Sequence, residues 1–570
     1  MPQRLRVLTV AALALVLISA CAKPNEGGRP GSTESGLSQP QRGLTVIMRD
    51  EPVDLTSNLA KRNYFTLAMF NAPLTAIDDL EVPYAVLSSV PALDTDTWRV
   101  NPDGTMETTY RLKPNLTWHD GHAFTAQDVV FGHEVRAARI KNGLAPGGST
   151  VESPLEPNAM AEISAPAPDT VVIKWNTLFQ SADVLSLKPM PEHILGEALR
   201  TIETEPQRLG SHPYWTSGWV GMGPYRLARW EPGAFLEGSA FEGYVFGPPK
   251  IARVVVKWSA DPNTTVTRVL SGDVDLVMPL AIYFDQVGTL RQEWAQSKGK
   301  IILTPTDVRY IGAQMRPDLA NPRAVLDLRV RKASLHAIDR QALVDALLEP
   351  GALVAETAAL PTDPFYDEVL RVAARYPFDT RLTDQLMAEA GFAKGADGIF
   401  TSPTEGRYAP ELFGISEGKD GRETTAVADY WRKAGIDARL RLAGSVEVQN
   451  SNEMKATYPA WRDNYTFLTE TLYGPSVATA QNRWGGRNKI GWIHPEFDRL
   501  FDLYTGTLQL GERHTIRVQQ YRLINEELPG LPLNFELSVT PYAADLRGPL
   551  EGLKPTILHL DNLHAWQWVR

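Results

Sequence analysis

The chain has 570 residues, with 57 Lys and Arg against 67 Asp and Glu and a formal net charge of −10. That acidic balance argues against nucleic-acid binding, which calls for a basic patch or stripe. A single cysteine leaves no internal disulfide, so the fold rests on hydrophobic cores, and the length suits about two to four domains.

Arg4 and Arg6 precede an uncharged apolar run, residues 7–20, that is too short for a permanent membrane span. It ends in Leu17-Ile18-Ser19-Ala20-Cys21, and small residues before a cysteine resemble the lipobox of bacterial lipoproteins. Residues 1–20 are therefore expected to be a signal peptide and Cys21 the lipid-bearing residue. An ordinary secretory signal with a cysteine nearby is the alternative. Removing Arg4 and Arg6 leaves 55 basic against 67 acidic residues, a charge of −12. Residues 21–42 are rich in Gly, Ser, Pro and Glu and read as a flexible tether. No later stretch reaches about 18 uninterrupted apolar residues, so no transmembrane helix is expected.

Leu44–Met48 reads as a buried strand and residues 63–70 as a helix. From Met106 the side chains alternate, with Met106, Thr108, Tyr110 and Leu112 on one face, until Pro114 ends the strand. Asp120-Gly121 marks a turn, and Thr125 with Asp128 opens a helix by a capping box. Strands are expected at Thr170–Trp175, residues 254–258 and residues 310–315. Two short helices within residues 328–348 meet near Asp339, whose carboxylate caps the second. Residues 409–415, 424–434 and 436–442 make a β-α-β unit with Gly435 ending the helix. Another strand is expected at residues 531–540.

The block from Thr109 to Glu134, TYRLKPNLTWHDGHAFTAQDVVFGHE, resembles the family 5 extracellular solute-binding proteins. These are the receptors of bacterial ABC importers for oligopeptides, dipeptides, nickel and some sugars. Later blocks resemble the family in order: Gly223-Pro224-Tyr225 and Trp230-Glu231-Pro232-Gly233, then residues 328–348, Gly391-Phe392, and His494-Pro495-Glu496-Phe497-Asp498. The resemblance implies an α/β fold of the periplasmic-binding-protein type II (Venus-flytrap) kind, two lobes built from three domains. Residues 43–80, 217–304 and 531–570 would form the first domain, 81–216 the second and 305–530 the third. It also implies capture of a small, peptide-like or related organic solute by hinge closure, and delivery to an ABC permease. The permease and ATPase would be separate chains, since no P-loop motif occurs. A lipid-anchored, extracytoplasmic monomer without cofactor, catalytic set or resident metal is expected.

Four other patterns bear on chemistry. Gly221 and Gly223 suggest a dinucleotide loop, but Pro224 and a missing third glycine break that fingerprint. Gly414-Ile415-Ser416-Glu417-Gly418 matches the nucleophile-elbow motif, with Asp463 and His494 as nominal partners; a secreted hydrolase is one alternative. His119, Asp120 and His122, with His133 further on, hold potential metal ligands, and a nickel receptor is another. The reading preferred there is a solvated turn. The ligand residues expected from the resemblance are Trp461, Arg462, Asp463 and Tyr465: in peptide receptors the comparable carboxylate pairs with the peptide's α-amino group.

Overall fold

The computed structural model describes residues 42–56, 64–78, 80–144, 159–185, 188–348, 352–464, 469–549 and 560–569. Cys21, residues 1–20 and Tyr465 lie outside the described residues.

Ten strands form one sheet with a different lobe at each end. One end holds Arg439–Ala443, Glu411–Ile415 and Trp461–Asn464. The other holds Leu276–Val277, Leu44–Met48, Arg253–Trp258, Phe235–Ala240 and Tyr225–Glu231. Each end is parallel at its centre: Leu44–Met48 runs parallel to both of its neighbours, and so does Glu411–Ile415. Between them run two long antiparallel strands, Gly299–Ala313 and Gly530–Ala543, in register from Gly299↔Ala543 to Gly312↔Gly530. The first joins one lobe through Tyr310↔Asn464, the second joins the other through Leu276↔Tyr542. The strand expected at residues 310–315 is thus the end of a 15-residue strand. Its earlier half is interrupted by Pro305, which has no N–H to donate, and the register shifts between Pro305 and Asp307. The domain boundary expected at 304/305 falls inside this strand.

A second, four-stranded antiparallel sheet has the order Trp98–Val100, Met106–Arg111, Thr170–Trp175, Met160–Ala167. Met106, Thr108 and Tyr110 are its buried positions on the second strand, as the alternation requires. The helix Ala126–Lys141 follows, and the Thr125 N–H donates to Asp128 Oδ2 at 2.9 Å. This satisfies one of the backbone donors a helix start leaves open.

Gly221 and Gly223 have a packing reason. A Cβ on Gly221 would lie 2.0 Å from the Phe70 carbonyl oxygen, and one on Gly223 2.5 Å from the Asn71 nitrogen. The two glycines let this segment lie against the end of the helix Tyr64–Phe70, and no phosphate loop is formed.

In the β-α-β unit the helix runs Gly418–Ala434 and ends at Gly435, which adopts φ +102°. It begins a turn and a half before the expected residue 424. Glycines at 418 and 421 weaken its intrinsic propensity, but Lys419 pairs with Glu536 at 2.7 Å and Asp420 with Arg309 at 2.9 Å, so tertiary contacts hold the first turn. Asp339 caps the helix Arg340–Leu347 as expected, accepting from Ala342 N–H at 2.9 Å. Among the described residues, no helix is long and apolar enough to cross a membrane.

Candidate functional site

Glu411–Ile415 and Trp461–Asn464 are parallel neighbours, and their carboxyl ends lie together where the helix Gly418–Ala434 begins. Crevices at the carboxyl ends of parallel strands are favoured ligand sites in α/β sheets. A cavity of about 240 Å³ opens here, lined by Arg309, Ile415, Asp420, Val448, Gln449, Lys455, Arg462, Asp463 and Asn464.

The inner wall is a buried ion cluster. Arg309 NH1 lies 2.9 Å from Asp420, Nε donates to Glu423 at 2.8 Å, and NH2 donates to both oxygens of Asp463 at 3.1 and 3.2 Å. Thr424 Oγ1 donates to Asp463 at 2.6 Å, and Asn534 Nδ2 to Glu423 at 2.9 Å. Three carboxylates therefore share one guanidinium. Burial raises the pKa of Asp420 and of Asp463, with the neighbouring acids adding to the shift and Arg309 opposing it. The Asp463 side chain is only 2% exposed, whereas Asp420 is 30% exposed and is the carboxylate the cavity presents.

The outer wall carries cations. Arg462 NH1 donates to the Lys455 carbonyl at 3.1 Å, and Lys455 Nζ donates to the Gln449 carbonyl at 2.8 Å. Lys489 stands nearby, its Nζ 3.2 Å from Asn452 Oδ1. Burial and then the charge of Arg462 lower the pKa of Lys455. Burial, with Lys455, Arg462 and Arg316, lowers Lys489 to about 8. Cations and carboxylates thus both crowd around the cavity.

Of the expected ligand residues, Arg462 and Asp463 line the cavity and Trp461 does not. Its ring is fully buried, 5.3 Å from Trp431 of the helix Gly418–Ala434. Trp461 and Asp463 both face that helix, meeting Trp431 and Thr424, which lie two turns apart on it. The earlier position sits over core and the later one at the sheet's edge. Trp461 is therefore a core residue, and the aromatic plate expected of it is absent from this cavity. Arg309, Asp420, Glu423 and Lys455 escaped sequence reasoning. An arginine just before the strand residues Tyr310 and Ile311, and acids at 420 and 423 at the start of a helix, were the only signals.

The nucleophile elbow does not assemble. Asp463 is held by Arg309 and Thr424, and His494 caps the helix Pro495–Gly506 while stacking on Trp492. The turn histidines also part company. His119 is buried: the Gly221 N–H donates to its Nδ1 at 3.1 Å, and its Nε2 lies 3.0 Å from the Gly223 carbonyl oxygen. Those two bonds place the proton on Nε2, and burial lowers the pKa to about 4. Asp120 and His122 face outward.

The family model "Bacterial extracellular solute-binding proteins, family 5 Middle" matches residues 88–481. Protein XP55 of Streptomyces lividans is 27% identical over 530 residues, covering 90% of this chain and 85% of that protein. Oligopeptide-binding protein AppA of Bacillus subtilis is 24% identical over 454 residues, covering 77% of this chain and 76% of that protein. The solved structure of B. subtilis AppA in complex with a nonapeptide superposes with a TM-score of 0.65 at 19% identity, covering 93% of this chain and 100% of that one. The two-lobed architecture is that of the type II periplasmic binding fold.

Proposed function

As the chain belongs to family 5 of the bacterial extracellular solute-binding proteins, we propose that its cavity seats a zwitterionic, peptide-like solute between two walls of opposite charge. The chain is an extracytoplasmic receptor that captures a solute and delivers it to an ABC importer. The solute class is our inference, and one observation carries it: the 240 Å³ cavity is lined by the carboxylates Asp420 and Asp463 together with the cations Lys455 and Arg462.

In this reading the solute's ammonium group meets Asp420, backed by the carboxylate surplus around Arg309. Its carboxylate meets Arg462 and Lys455. A guanidinium suits a carboxylate because its fork matches both oxygens. Closure of the other lobe over this cavity excludes water from these contacts, and solute shifts the protein toward the closed form to the extent that the second lobe adds contacts of its own. The relative named AppA, described as oligopeptide-binding, supports a peptide-like solute. No turnover accompanies binding, and Ser416→Ala leaves affinity unchanged. Cys21 carries the lipid that anchors a monomeric receptor: Cys21→Ala abolishes partition into a detergent phase.

Calorimetry with short peptides, their N-acetylated forms and their C-terminal amides tests the two walls. A charge-assisted contact contributes about 1.5–3 kcal/mol, so blocking either terminus weakens binding by roughly 10- to 100-fold. Arg462→Ala erases the distinction between acid and amide. Equal affinity for blocked and free termini would remove the zwitterion from the reading while leaving the receptor assignment intact.

A further inference from the structure

We propose that Asp120, His122 and His193 form a second site, on the outer surface of the lobe carrying the four-stranded sheet, for a borderline divalent transition-metal ion of the zinc and nickel class. One ligand atom from each lies within 4.8 Å of the other two, the one such group among the described residues. His193 Nε2 is 2.7 Å and His122 Nδ1 3.3 Å from the same oxygen, Asp120 Oδ2. Ligands about 2.0–2.1 Å from a tetrahedral ion stand roughly 3.3 Å apart, so the carboxylate is already within span of both imidazoles. The two rings stack with centroids 4.0 Å apart and planes at 18°, so both are at hand, and ligating one ion requires the exposed His122 ring to turn out of the stack.

The supporting groups fit the same purpose. Asp120 Oδ1 accepts from the His122 N–H at 3.1 Å, which orients the carboxylate and leaves Oδ2 for the shared position. Beneath the site the buried Trp118 ring packs edge-on against both His193 and Phe124, giving the side chains a rigid floor. Two imidazoles and one carboxylate, with remaining positions open to water, suit zinc or nickel, whereas calcium and magnesium prefer all-oxygen shells.

His193 sits in the first turn of the helix Glu192–Arg200, 73 residues beyond Asp120. An ion here would clip that helix start to the turn at residues 118–122. The site uses no residue of the solute cavity, so its fate and the cavity's are separable.

Metal-free, untagged protein titrated with zinc against a chromophoric chelator tests the proposal, with cobalt absorption reporting coordination geometry. One equivalent is expected. His193→Ala and Asp120→Asn should each weaken it at least about tenfold, the scale on which even supporting groups matter in metal sites. His133→Ala should bind as the unaltered protein does, and Arg462→Ala should keep the metal while losing solute. Absence of a stoichiometric equivalent, or unchanged binding in His193→Ala, overturns the proposal.

Discussion

His119 converts a mild acid shift into a loss of stability that is readable in a melt. The ring is buried with both nitrogens engaged by the backbone of Gly221 and Gly223, and its pKa lies at about 4 against an ordinary 6.5. The folded state therefore refuses a proton that the unfolded chain accepts below about pH 6.5. Stability from this residue is complete above that pH and is lost as pH falls toward 4. A shift of 2.5 units corresponds to about 3 kcal/mol in full, of which about 2 kcal/mol is gone by pH 5. The assay is urea unfolding of the unaltered protein and of His119→Gln at pH 7 and pH 5. Glutamine does not titrate, so carboxylates and other histidines cancel in the difference. At pH 7 the variant is less stable by about 1 kcal/mol for a weakened backbone bond. Between pH 7 and pH 5 it loses about 2 kcal/mol less than the unaltered protein. Equal losses would refute the claim that burial holds His119 neutral.

Three further substitutions probe the cavity's supports. Arg309→Met leaves Asp420, Glu423 and Asp463 facing one another without their cation, and unfolding at pH 7.5 should be easier by about 3–5 kcal/mol. Glu423→Gln, which relieves the surplus of acid while keeping a hydrogen-bonding partner for Asn534, should cost much less; a larger loss than Arg309→Met would contradict the charge count. Trp461→Ala empties a fully buried site against Trp431 and should cost about 3–5 kcal/mol, read by denaturation. Solute affinity per folded molecule should hold, and its loss at unchanged stability would return Trp461 to the ligand.

Local signals were legible wherever the information sits within a few residues. The alternation from Met106, the Thr125–Asp128 box, the Asp339 cap and the Gly435 stop each need only their neighbours, and each forms as read. What escaped was whatever depends on chain brought from afar. The partners of Arg309 lie 111 to 154 residues away in sequence if Asp420, Glu423 and Asp463 are counted, and no spacing rule connects them. The cluster Trp461 to Asp463 looked like one surface, yet a strand end passes from core to edge within two residues. His119 and His122, equivalent in a turn read from sequence, separate because Gly221 and Gly223 supply a buried backbone for only one of them.

The two connecting strands carry an apolar cluster that both lobes share. Val308, Tyr310, Phe535 and Leu537 belong to one apolar cluster that continues into both lobes, through Ile47 and Val277 on one side and Phe365 and Ile524 on the other. Arg309 points to the opposite face, into the ion cluster and the cavity. Opening the apolar cluster would expose surface at about 25 cal/mol per Å², so it resists separation of the lobes at the strands. Away from the strands the lobes also meet through Arg422 and Asp285 at 3.3 Å and through Glu81 and His514 at 3.2 Å, partly exposed pairs of the kind that contribute about 0–1 kcal/mol each. Ties this weak leave the shared apolar cluster as the larger contribution to how the lobes are joined.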